Sequence, residues 1–320
     1  MGTPLAGPER LPQLGAANAI GGYSRSVRGL SAAAAFAALA LGVGQAQAYC
    51  RTTTCDPNTE CEYDLRGCAI VGEPLAWKTG CVSYSVHRSG SPKRGVSYDT
   101  AHKLTETAFS RWAEADCRGS TPSIEVSDLS PALCSEPEYN SDHGNANVVM
   151  FRDNDWPYAG ANATLALTTI TFNPQNGEIF DADIEVNSFR TPLTTSDVGI
   201  EFDLQSILTH EAGHFLGLSH SHVESATMYL EYSEGSSLRE LHSDDIAGIC
   251  AVYPDDRDVS DPSCKPRHGY SPDCKPPPDD GCSLSGSPAT RRRAPLSPLF
   301  VWLAVGLAAL SARQQRRRAR

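Results

Sequence analysis

His210-Glu211-Ala212-Gly213-His214-Phe215-Leu216-Gly217-Leu218-Ser219-His220 is the stretch from which the rest of the chain is read. Side chains four residues apart share a helix face, so a helix here sets the imidazoles of His210 and His214 side by side. Two imidazoles at that spacing suit one zinc ion. Glu211 stands one residue on, close to the metal without serving as a ligand. Gly217 accepts the φ > 0 conformation that stops a helix and turns the chain. The turn can return His220 to the metal as a third ligand. Three protein ligands leave a fourth position for water, the arrangement of a catalytic zinc site. The plain alternative is a helix whose histidines are satisfied by ordinary hydrogen bonds, and the segments downstream weigh against it.

The same letters are the long metzincin signature H-E-x-x-H-x-x-G-x-x-H, with every fixed position matched. Ala226-Thr227-Met228-Tyr229 follows after a short loop and resembles the Met-turn beneath a metzincin zinc. Ser221 directly after the third histidine, and Met-Tyr in the turn, resemble the matrixin branch. So does Leu241–Tyr253, whose Ser243-Asp244-Asp245-Ile246 start is similar to the last matrixin helix. Ser243 reads as its N-cap, and the two Asp favour the positive helix start. The resemblance covers roughly residues 77–253. It implies an α+β metzincin (matrixin-like) catalytic domain: a twisted, mostly parallel sheet with helices, an active-site helix and a Met-turn. It also implies His210, His214 and His220 as zinc ligands, Glu211 as the general base, and Met228 as a support that does not bind the metal.

The net charge is -11, and residues 291–320 hold eight Arg and no acid, so the acidic excess lies in the body of the chain. Such a body argues against nucleic-acid binding and fits an exported enzyme. Eleven Cys, none before Cys50, point to an oxidising compartment and disulfides. Residues 1–48 resemble a secretory signal. Arg25 and Arg28 precede the apolar run 32–43, and Ala46-Gln47-Ala48 reads as a small-residue cleavage site. Residues 49–74 are a Cys-rich N-terminal segment, 75–254 the catalytic domain and 255–281 a Pro/Asp-rich linker. Residues 282–320 carry Cys282, an apolar run at 296–312 near the lower length of a membrane helix, and terminal Arg. They resemble myxobacterial surface-sorting tags. Cys282, the cysteine left over after ten others, is then the processing site, with a plain tail anchor as the alternative.

Within the catalytic domain, residues 81–87 alternate like a strand. Residues 99–115 recur at three and four with Ala101, Leu104, Ala108, Trp112 and Ala115 on one face. Residues 124–126 and 148–151 are further strands. Residues 164–172 match the strand that rims the cleft in the family, an edge able to pair with an extended peptide. Asp203 is a candidate N-cap for the zinc helix. Asp181, Asp183 and Glu185 fall on one face of a strand, where three carboxylates repel unless solvent or a cation relieves them. Calcium takes such oxygen ligands, and the matrixin resemblance implies calcium around this segment; the alternative is a merely solvated edge. A matrixin-type structural zinc is not expected, because Asp183 stands at the histidine position.

The reading is a monomeric, secreted or surface-anchored zinc endopeptidase that takes an extended peptide or protein substrate. The alternative is a zinc-bearing surface adhesion or binding protein without turnover, against which the intact Glu211 argues.

Overall fold

The computed structural model describes residues 48–56, 60–158, 164–259 and 261–273. The predicted signal up to Gln47, Cys282 and the predicted membrane helix at 296–312 lie outside them. Among the described residues no helix is long and apolar enough to cross a membrane.

The elements run β1 (Cys50–Arg51), β2 (Cys81–Val86), α1 (Tyr98–Ala113), β3 (Glu125–Asp128), β4 (Val148–Phe151), β5 (Ala166–Phe172), β6 (Ile179–Val186), β7 (Leu193–Thr194), β8 (Phe202–Asp203), α2 (Leu204–Phe215), β9 (Leu218–Ser219) and α3 (Ser243–Val252). The main sheet has the order β3-β2-β4-β6-β5. Its pairs are parallel except β5, which lies antiparallel to β6 at the edge. The sheet is thus mostly parallel, as expected, with α1 as the crossover between β2 and β3. All six residues of β2 are buried rather than alternating, because an inner parallel strand is covered on both faces.

Helix α1 begins at Ser97, whose hydroxyl accepts the Thr100 N–H. Its buried stripe includes Ala101, Ala108, Phe109 and Trp112. Tyr84 of β2 stacks on Phe109 at 4.6 Å, and Phe109 meets Phe215 of α2 edge-on at 4.9 Å. Trp112 Nε1 donates to Thr209 O at 2.7 Å. Sheet, α1 and α2 therefore share one aromatic core, and the zinc helix is fixed against it.

Disulfides join Cys50 to Cys68, Cys55 to Cys61, Cys81 to Cys264 and Cys117 to Cys250. Cys134 is disulfide-bonded too. The four N-terminal cysteines thus close among themselves within the predicted Cys-rich segment.

The predicted linker differs from its composition. Arg257 donates to Trp77 O and Ser123 O, both at 2.6 Å, Cys264 is tied to β2, and Tyr270 Oη donates to Leu129 O at 2.6 Å. Residues 255–259 and 261–273 strap the sheet instead of hanging free. Backbone pairing and a disulfide, which Pro/Asp content does not reveal, hold them down.

Candidate active site

Asp203 caps α2: its Oδ2 accepts the Ser206 N–H at 2.9 Å and the Ser206 hydroxyl at 2.6 Å. Arg239 grips the same carboxylate with Nε at 2.8 Å and Nη2 at 2.6 Å. Burial alone would raise Asp203, but Arg239 and Ser206 hold it below the usual carboxylate range. A depressed folded pKa adds stability above the unfolded pKa of about 4 and loses it as pH falls through the folded value. Asp203→Asn is therefore expected to cost about 1–2 kcal/mol at pH 7, with the deficit shrinking below about pH 4. Denaturation midpoints across that range check it; a deficit unchanged by acid contradicts it.

The helix brings His210 and His214 together, with ring centroids 4.8 Å apart. Gly217 has φ +94, and a Cβ there would stand 2.5 Å from Leu75 O. The turn it permits carries β9 and then His220 back to the pair. His214 Nε2 and His220 Nε2 lie 3.2 Å apart. All three histidines offer ring nitrogens within 4.8 Å of one another.

Thr227 O accepts His210 Nδ1–H at 2.7 Å, and Leu218 O accepts His214 Nδ1–H at 2.9 Å. A carbonyl can only accept, so both rings carry the proton on Nδ1 and turn the Nε2 lone pair inward. Burial lowers all three histidines, His214 to about 3 and His220 well below its ordinary value, with neighbouring imidazoles adding to the shift in these two. Three neutral imidazoles with convergent lone pairs repel one another until a cation sits between them. The donor set fits zinc.

Glu211 is 6% exposed and lies outside the ligand set. Thr168 Oγ1 of β5 donates to Glu211 Oε2 at 2.6 Å. Burial pushes the Glu211 carboxyl up to about 7, against that hydrogen bond. Proton uptake near neutral pH suits a general base. Thr168 was not singled out from the sequence; its signal is placement on the strand rimming the cleft. Among the described residues β5 is the edge strand of the sheet, and residues 164–168 line the cavity of about 110 Å³ that the three histidines also line.

Met228 is buried and lies against the zinc helix at Gly213. Gly213 makes room for it: a Cβ there would stand 2.3 Å from Met228 Sδ and 2.8 Å from Trp112. Asp245 ties down the turn. Its carboxylate accepts the N–H groups of Thr227 at 2.8 Å, Met228 at 3.0 Å and His242 at 2.8 Å. The cap of α3 is accordingly His242, one residue before the predicted Ser243. Its Nδ1 accepts the Asp244 N–H, and Asp245 answers as the other half of a capping box. Asp244 accepts the Ser221 hydroxyl at 2.6 Å and the Ala48 and Tyr49 N–H groups at 2.9 and 3.0 Å. The two Asp thus hold the zinc floor and the N-terminal segment, a role sequence reasoning assigned only to the helix start.

The three carboxylates on which the calcium expectation rests are buried. Asp181, Asp183 and Glu185 share a face of β6, but that face is covered rather than solvated. Glu185 pairs with Arg152 Nε at 2.5 Å and accepts the Tyr158 hydroxyl. Asp183 accepts the N–H groups of Val148 at 2.7 Å and Glu138 at 3.0 Å. Burial raises Asp181 and Asp183 above the usual carboxylate range, and the charge of Asp183 adds to the shift at Asp181, so the pair favours holding a proton. Arg152 neutralises Glu185 on this face, which leaves Asp181 and Asp183 as the acidic pair of the calcium expectation. Among the described residues, the convergent groups of three potential ligands are the zinc histidines and Cys81, Glu125 and Cys264, whose cysteines form a disulfide.

The geometry has a counterpart among known proteins. Residues 139–254 match the Matrixin family model. The chain is 28% identical to metalloendoproteinase 1-MMP of Arabidopsis thaliana over 57% of its length and 45% of that protein. It is 30% identical to metalloendoproteinase 2-MMP of the same plant over 49% of its length and 40% of that protein. To human matrix metalloproteinase-20 it is 29% identical over 68% of its length and 39% of that protein. It spans less than half the length of these relatives. The mixed sheet with few helices and this match together give the fold as an α+β, matrixin-like metzincin catalytic domain.

Proposed function

We propose that the protein is a zinc-dependent endopeptidase that is exported and cleaves extended polypeptides. One observation carries the reading: three convergent, neutral histidines beside a buried, unligated Glu211 in a cavity bordered by a sheet edge. His210, His214 and His220 would hold the zinc through Nε2. When bound, zinc polarises a peptide carbonyl and acidifies water. Glu211 takes the proton of the attacking water and passes it to the leaving amine. The Thr168 hydroxyl holds that carboxylate in place. The edge of β5 offers backbone groups to an extended substrate, and Ile207, Leu230, Tyr232 and Leu238 line space for an apolar side chain. The disulfides fit export, and processing of the tail at Cys282 belongs to the same proposal.

Cleavage of a generic unfolded protein, with and without a chelator, tests it. Chelation is expected to abolish cleavage. Zinc add-back restores it, while calcium add-back raises the melting temperature without restoring cleavage. Cleavage that survives full removal of zinc overturns the reading, and a zinc-loaded protein that cleaves nothing favours the adhesion alternative.

A further inference from the structure

Residues 50–56 and 60–69 form a wall beside the three histidines. β1 pairs antiparallel with β9, placing Cys50 opposite Ser219, the residue before His220. Thr52 Oγ1 donates to Leu218 O at 3.0 Å. The disulfides Cys50–Cys68 and Cys55–Cys61, and a bridge between Tyr63 and Ala69, fold the segment back on itself. A second cavity of about 390 Å³ lies between this wall and the chain around His220 and Leu230. Thr52, Ser219, His220, Tyr229 and Leu230 line both this cavity and the zinc cavity. The two cavities therefore adjoin across these residues, and the second lies next to any chain laid across the histidines.

The chemistry of the wall points to an apolar guest. The Cys55–Cys61 disulfide, Tyr63, Ala69 and Leu230 line it. Tyr63 remains 50% exposed and Leu230 36% exposed. Exposed apolar side chains gathered in a depression mark a binding surface more than scattered ones do. The disulfides fix the wall before any ligand arrives, so little ordering is lost on binding.

We propose that this cavity is a further substrate subsite, where an apolar side chain of the peptide held at the zinc packs against Tyr63. The proposal rests on the endopeptidase reading. Tyr63 is a specificity residue here and takes no part in bond cleavage.

The test uses the zinc-loaded full chain and two kinds of fluorogenic peptide. One is a short core that spans only the zinc. The other extends the core at both ends, with Phe or Ala scanned through the added positions. At the favoured position Phe is expected to raise kcat/KM about tenfold over Ala, through KM. Tyr63→Ala removes that preference and Tyr63→Phe keeps it, while both cleave the core peptide at the parent rate. A preference that survives Tyr63→Ala, or no preference in the parent, overturns the subsite. So does an equal loss on core and extended peptides, which marks a structural role. Core cleavage that is absent, or that persists without zinc, overturns the endopeptidase reading itself and the subsite with it.

Discussion

Replacing Glu211 with Ala is expected to lower kcat for peptide cleavage by about 10²-fold or more, with the zinc content of the purified protein unchanged. The two halves of this result have separate causes. The histidines are oriented by Thr227 O and Leu218 O, and neither bond passes through the Glu211 side chain. Its carboxylate instead hangs from Thr168, beside the ligands and outside their set. Removing it deletes the proton acceptor and leaves the ligand geometry in place. It also deletes a carboxyl that burial disfavours in its charged form, so a fall in stability is not expected. Single-turnover cleavage and metal analysis on the same preparation check both halves. Near-normal turnover would remove Glu211 as the base, and loss of zinc would make it a ligand or its support.

Asp245→Ala is expected to loosen the floor beneath the metal. Asp245 is 1% exposed and accepts three backbone N–H groups, two of them from the turn that carries Met228. Each buried donor left without an acceptor costs roughly 1–3 kcal/mol, so a total loss of about 3 kcal/mol or more is expected. The same turn supplies Thr227 O, which orients His210. Losing such an outer partner typically weakens metal binding by about 10–100-fold. Thermal unfolding of the zinc-free protein and competition against a chelator read the two effects apart. Asp245→Asn retains one acceptor oxygen and should fall between Ala and the parent. Parent-like stability and zinc affinity in the Ala variant would contradict this account of Asp245.

The convergence of His210, His214 and His220 was legible in the sequence because its geometry is local. Helical spacing joins His210 to His214, and a single glycine turn returns His220, so eleven residues of chain carry all the information. The Asp203 cap and the stripe of α1 were legible for the same reason. The order of strand, helix and strand before the zinc helix also follows from local periodicity. What surrounds the metal comes from residues distant along the chain. Thr168 reaches Glu211 from a strand 43 positions away, and Asp245 reaches Thr227 from 18. The strand β6 shows the limit most clearly. Alternation correctly set Asp181, Asp183 and Glu185 on one face, yet alternation is silent on what covers that face. Arg152, Tyr158 and the segment before β4 do so, pairing Glu185 with Arg152 and burying Asp181 and Asp183, whose carboxyls burial raises above the usual range. The strap at 255–259 and 261–273, and the N-terminal wall against His220, likewise depend on disulfides and backbone pairing between remote segments. Local spacing thus determined the convergence of the three histidines beside Glu211, because helix and turn geometry alone place these groups. Tertiary packing decided how those groups are charged, held and walled, because burial and partners exist only once distant segments meet.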